Sequence, residues 1–220
     1  MKRTTIIIVF TIIQMTTITA NAQQEVKHRK GFMIKYDLIS LLGDQVSNSM
    51  GVRLGFEMLR GTDQAVAADI MYVFPCRSCG QAYTTIETEA TVGFMVSGEY
   101  RFYLFPGKNA FSGFHVGPQL AYQYTRSEMN ETYGNGMPNS YYVYRNQFGI
   151  HGMAGYQLGI AGPLYIDPAL GLGFRYINSR HEDKLGNDPG QHEFPYDKDF
   201  ESGARWFPGF DISIKIGLKL

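Results

Sequence analysis

The chain has 220 residues, of which only 18% are charged, and its 20 Lys+Arg balance its 20 Asp+Glu to a formal net charge of zero. Ordinary globular domains carry roughly 25% charged residues, and nucleic-acid binders carry a basic excess. With 25 Gly and 14% aromatic residues, the composition argues against nucleic-acid binding, against a helical bundle and against disorder.

The first element is a leader. Lys2 and Arg3 precede a mostly apolar run from Thr4 to Ile13, and Ala20-Asn21-Ala22 places small residues where a signal peptidase cuts. Residues 1–22 therefore read as a secretory signal peptide, with 23–220 as the mature domain beginning at Gln23. Thr11, Gln14, Thr16 and Thr17 interrupt the run, which falls short of the roughly 20 apolar residues of a spanning helix. No Cys stands at the cleavage site to carry a lipid anchor.

Beyond the leader the repeating signal has period two, the mark of a strand with one apolar and one polar face. Phe32, Ile34, Tyr36 and Leu38 alternate with Met33, Lys35 and Asp37, and Val52, Leu54, Phe56 and Met58 with Arg53, Gly55 and Glu57. Val66, Ala68, Ile70 and Tyr72 stand against Asp69 and Met71. The same alternation runs through Phe94–Leu104, Phe114–Tyr124, Phe148–Ile160 and Ile166–Tyr176, and it is strict from Phe210 to Leu220. Eight strands are predicted, over 32–40, 50–59, 65–74, 88–104, 112–126, 144–161, 164–178 and 206–220.

The connections 41–49, 75–87, 127–143 and 179–205 are long and rich in turn formers, whereas 60–64, 105–111 and 162–163 are short. Long connections at one end and short ones at the other are expected of an outer-membrane barrel. An even strand number then places both termini at the short-turn, periplasmic end. Pro118 and Pro168 fall inside predicted strands, where proline cannot donate to the ladder. Bulges or a shortened strand are expected at both.

The polar face separates a membrane barrel from a soluble one, the structural alternative. It holds Lys35, Asp37, Arg53, Glu57, Glu99, Arg101, His115, His151, Asp167, Arg175, Asp211 and Lys215, expected to pair as a polar network in a narrow lumen. Asp69, Gln119, Gln123 and Gln157 share that face, as do Gly55, Gly117, Gly149, Gly155, Gly171 and Gly173. The opposite face is apolar, with Tyr and Phe near the strand ends, as in an interfacial girdle. A Lys or Arg facing lipid at mid-depth costs about 2–4 kcal/mol, and a one-residue slip would expose several. The register with charges inside is therefore strongly favoured in a bilayer.

The leader ending Ala20-Asn21-Ala22, the segments Arg145-Asn146-Gln147-Phe148-Gly149 and Gly171-Leu172-Gly173-Phe174-Arg175-Tyr176, and the amphipathic last strand carry a resemblance. Over 31–220 the chain resembles the small eight-stranded outer-membrane β-barrels of Gram-negative bacteria, and within them families of unknown function. The resemblance implies an all-β, eight-stranded antiparallel up-and-down transmembrane β-barrel in the outer membrane, with lipid and the barrel-assembly machinery as partners. In the wider class the last strand usually ends in Phe, read by that machinery. This chain ends in Leu220.

Two features invite a chemical reading. Cys76-Arg77-Ser78-Cys79 lies in the second long loop. Secretion favours a disulfide between Cys76 and Cys79; the alternatives are free thiols, crosslinking, or a zinc site completed by His181 and His192. His115 and His151, with Ser97 and Glu99 on neighbouring strands, contain the residue types of a hydrolase. A polar network filling the lumen accounts for the same residues. No phosphate loop, calcium loop or zinc-protease motif is present, and no cofactor is expected. The expected function is that of a non-enzymatic outer-membrane protein whose surface loops serve membrane integrity, adhesion or recognition of an unknown ligand. A lipid-modifying barrel enzyme and a narrow ion channel are the alternatives.

Overall fold

Eight strands carry the chain: β1 (Phe32–Asp37), β2 (Ser49–Leu59), β3 (Gln64–Pro75), β4 (Ile86–Pro106), β5 (Gly113–Thr132), β6 (Pro138–Ala161), β7 (Leu164–Asp183) and β8 (Gly203–Lys219). They are seen in a computed structural model that describes residues 31–41, 49–75, 86–106, 111–132, 138–184 and 201–220. Each strand pairs antiparallel with its neighbour in sequence, and β8 pairs with β1. The sheet is a closed up-and-down barrel without a free edge. Both ends of the described chain meet at the short-connection rim, where the Leu220 N–H donates to the Phe32 carbonyl at 2.9 Å.

Closure fixes the geometry. A path straight across the ladders from Asp37 passes Arg53, Met71, Met95, Gln123, Gln147 and Ile177 and reaches Arg205. Asp37 itself closes on Lys215, ten residues further along β8. Eight strands with that stagger tilt roughly 40° from the axis on a cylinder of roughly 8 Å radius. Such a cylinder holds side chains and little else.

Between the register shifts near the ends of β4 and β6, the odd-numbered residues of every strand point inward. Glu57, Arg101, Asp167 and Lys35 are at most 2% exposed, whereas Phe210, Phe174 and Leu120 are more than 60% exposed. The interior is polar and the exterior apolar, the reverse of a soluble barrel. Outward aromatic residues form two rows. Phe32 stacks on Phe56 at 6.0 Å, and the tilted rings of Tyr100 and Phe102 meet at 4.9 Å, near the short connections. Tyr122 meets Phe148 at 4.8 Å and Tyr176 meets Trp206 at 5.3 Å toward the long ones. On β4, Phe94 and Phe102 belong to opposite rows eight residues apart, roughly 20 Å along the axis at this tilt.

All eight predicted strands are present, and the differences lie at the long-loop end. β1 stops at Asp37 because Ile39–Leu41 curls into a 3-10 turn. Asp37 holds that turn: its Oδ1 accepts the Ile39 N–H at 3.1 Å, and its carbonyl accepts the Ser40 hydroxyl at 2.8 Å. β5, β6 and β7 run five or six residues further than expected. There Met129, Tyr141 and Val143 pack inward as an apolar cluster, while Glu128, Tyr142 and Glu182 pair on the outside.

The prolines correct the expectation of bulges or a shortened strand. The β4–β5 ladder lapses between Glu99↔Gln119 and Phe102↔Val116, and the β6–β7 ladder between Gly155↔Ala169 and Leu158↔Ile166. Both resume in the same register. On their other sides Pro118 pairs with Gly152 and Pro168 with Ile214. An antiparallel residue directs its N–H and C=O to one neighbour only, so the missing donor opens one seam and leaves the other intact. Register shifts occur instead near strand ends, at Thr88/Ala90, Tyr103/Phe105 and Gly159/Ala161.

The closing seam is short. Met33, Ile34 and Lys35 pair with Lys219, Leu218 and Gly217, leaving only Tyr36↔Ile216 and Asp37↔Lys215 beyond them. Deleting 217–220 removes three of these five pairs and is expected to abolish the compact, heat-modifiable band that folded barrels show on unboiled gels.

Candidate functional site

The interior is built in storeys. At the short-connection end Met33, Leu59, Ala65, Tyr103, Phe111 and Tyr165 form a buried apolar floor. Phe111, from the connection before β5, is wholly buried, and its ring meets Tyr165 at 6.2 Å.

Above the floor lies a first ionic layer. Arg101 donates to Glu57 at 3.0 Å, Glu99 at 2.8 Å and Asp167 at 2.7 Å. Lys35 reaches Asp167 at 2.6 Å, pairs with Glu57, and donates to Gln157 Oε1 at 2.6 Å. The Tyr103 hydroxyl donates to Glu57 at 2.5 Å, and His115 Nε2 lies 2.9 Å from Asp167. Three carboxylates thus meet two basic side chains in a layer spanning the lumen from β1, β2 and β4 to β7.

A second layer repeats that ratio further along the axis. Arg53 contacts Asp69 at 2.8 Å, Asp211 at 3.2 Å and Asp37 at 3.5 Å. Lys215 reaches Asp69 at 2.7 Å. Gln119 donates to Asp211 at 2.9 Å and accepts at its Oε1 opposite His151 Nδ1, 3.1 Å away. Gly149 and Gly209 make room for that imidazole, since a Cβ at either would fall 2.7 Å from the ring. Above this layer a cavity of about 520 Å³, lined by Arg145, Arg175, Gln123, Gln147 and His151, faces the long-loop end.

All twelve network residues named from the sequence project into the barrel, and all but Arg175 join one of the two layers. Arg175 lines the cavity, its guanidinium carbon 5.8 Å from the centre of the Phe207 ring. The hydrolase-type residues are divided. Ser97 donates to Asp69 at 3.2 Å and His151 meets Gln119 in the second layer, whereas His115 bonds Asp167 and Glu99 bonds Arg101 in the first. Cys76, Cys79 and His192 lie outside the described residues.

Two residues of the storeys, Tyr103 and Phe111, were not singled out from the sequence, and Asp69, placed on the polar face there, takes a larger part than its strand suggests. Asp69 joins both cations of the second layer. Its place opposite the exposed Ile70 was visible in the alternation, but Ala65 and Ala67 make the inward face of β3 look weakly polar. Tyr103 is also inward by alternation, and only the contact with Glu57 shows its role. Phe111 lies in a connection, where periodicity gives no direction.

No protein-family model and no curated protein sequence matches the chain. A solved structure to which it is similar is that of a major outer membrane protein from Thermus thermophilus, at 11% identity and a TM-score of 0.48, covering 88% of this chain and 100% of that one.

Proposed function

We propose that the chain is a non-enzymatic protein of the bacterial outer membrane, embedded in lipid by its barrel wall. Its termini are periplasmic, and its long loops are displayed at the cell surface for membrane integrity, adhesion or recognition. The observation that carries this reading is the inversion of polarity, with paired charges inside and a continuous apolar wall outside. Soluble monomers rarely expose apolar patches beyond a few hundred Å², whereas outer-membrane barrels present an apolar band roughly 25 Å tall between aromatic girdles. The two aromatic rows fit that dimension.

The storeyed interior supports a structural rather than a transporting role. An ion crossing the lumen would have to break through both ionic layers and an apolar floor. A catalytic role would need Ser97 bonded to a histidine; His115 lies in the other layer, and within its own layer Ser97 donates to Asp69 while His151 meets Gln119.

The test combines fractionation with electrophysiology. The mature protein is expected in the outer-membrane fraction, and the purified protein in planar bilayers is expected to show no sustained single-channel conductance. Recovery in the soluble periplasm would overturn the lipid-embedded reading, and steady open channels would restore the ion-channel alternative.

A further inference from the structure

The outer face of the wall above the upper aromatic row is graded. Tyr122, Phe148, Tyr176 and Trp206 stand side by side on β5 to β8. The next row outward is Tyr124, Asn146 and Asn178, then Arg126, Tyr144 and Arg180, then Glu128, Tyr142 and Glu182. All these residues are even-numbered and point away from the lumen. Arg126 is exposed, and the Arg180 side chain is 77% exposed.

Arg126 and Arg180 sit directly opposite the two sides of Tyr144. Neighbouring strands are roughly 4.8 Å apart, so the two arginine backbones lie roughly 10 Å apart, close enough for both guanidinium groups to converge on one anion. Aromatic faces steady them: the Arg126 guanidinium carbon lies 5.1 Å from the centre of the Tyr142 ring, and that of Arg180 lies 5.8 Å from the centre of Tyr144. Lys184 Nζ covers Tyr142 at 4.9 Å. The acids of the row above engage part of this charge, Glu182 with Arg180 at 3.2 Å and Glu128 with Lys184. Three cations face two acids.

Depth selects the partner. Arg126 lies four residues beyond Tyr122 on β5, roughly 10 Å further out along the axis, and Arg180, two strands along the tilted ladder, stands several Å beyond it. Aromatic girdles mark the boundary between acyl chains and headgroups, so the arginines reach the level of headgroup phosphates. Guanidinium groups bind phosphate through paired N–H donors. We infer that Arg126 and Arg180, framing Tyr144, form a clamp for the phosphomonoester of a lipid headgroup in the loop-side leaflet. The inference rests on the lipid-embedded reading.

The probe is lipid A, a membrane glycolipid bearing phosphomonoesters, mixed into phosphatidylcholine nanodiscs with the full-length mature protein. Lipid A retained per protein after detergent exchange is measured by mass spectrometry. The wild-type protein is expected to retain lipid A, and Arg126→Gln with Arg180→Gln to lower retention roughly tenfold. Dephosphorylated lipid A is expected not to be retained, and excess inorganic phosphate not to displace the bound lipid. Arg126→Gln alone should give an intermediate loss, which keeps the test decisive if the double variant misfolds. Equal retention by variant and wild type, or of the dephosphorylated lipid, would overturn the clamp. Displacement by inorganic phosphate would overturn the lipid as its source. Failure of the wild-type protein to enter nanodiscs would sink the embedded reading itself, and the clamp with it.

Discussion

Arg101→Ala is expected to destabilise the barrel by about 3–5 kcal/mol, the range for removing one partner of a buried ionic group. The cause is the company left behind. Arg101 engages Glu57, Glu99 and Asp167, and each of the four side chains is at most 3% exposed. Without the guanidinium, three carboxylates share Lys35 and the neutral donors around them. The destabilisation measures the penalty of the orphaned acids rather than the net worth of the layer, since an intact buried ion pair contributes little over a well-packed apolar substitute. Urea titration of the protein folded in lipid vesicles, read by tryptophan fluorescence from Trp206, gives the midpoint shift. Arg180→Gln supplies the contrast: its pair with Glu182 is largely exposed, and exposed pairs contribute at most about 1 kcal/mol. Equal shifts for the two variants would refute the layered account of the interior.

Gly117→Val is expected to prevent assembly, while Gly98→Ala on the outer face is expected to assemble normally. A Cβ at Gly117 would overlap the carbonyl oxygen of Tyr100 and press on the Arg101 backbone, whereas a Cβ at Gly98 meets nothing within 4 Å. The same close backbone approach occurs at Gly93 and Gly173, where the ladders are unbroken. At Gly117 the backbones press close enough to exclude any side chain. Backbone cannot yield as the tip of a flexible side chain can, so the overlap must be relieved by separating β4 from β5. Heat-modifiable migration and protease resistance after expression distinguish the outcomes. A folded Gly117→Val barrel would show that the close approach is not required.

The period-two pattern makes most of the architecture legible in the sequence alone. Strict alternation from Phe210 to Leu220 and clean alternation in β4 to β7 fix strand number and facing, because a slipped register would turn Lys215 or Arg101 out of the lumen, away from their acids. The pattern fails where its contrast fails. Tyr141-Tyr142-Val143-Tyr144 is apolar on both faces, so the extended end of β6 reads as loop, although Tyr141 and Val143 point inward and Tyr142 and Tyr144 outward. The prolines mislead for a different reason: a missing donor is expected to distort the strand, but the antiparallel ladder confines the defect to one side. For the site, alternation identifies which charges share the lumen and says nothing of height. The division of Ser97 from His115 and the choice of Asp69 for Arg53 and Lys215 follow from the ten-residue stagger, which no single strand contains.

The seam between β8 and β1 is the shortest of the eight, with five residue pairs against twenty between β5 and β6. On hydrogen bonds alone it would be the first to open. Yet Lys35 on β1 is tied to Glu57 on β2 and Asp167 on β7, Lys215 on β8 to Asp69 on β3, and Arg53 on β2 to Asp211 on β8. Peeling the seam open must therefore tear apart charges whose partners sit on strands beyond it, in a space with little water to solvate them. The interior acts as a latch on the last joint to close. The lifetime of the assembled barrel is thereby set by an activation barrier as much as by the equilibrium depth of the folded state.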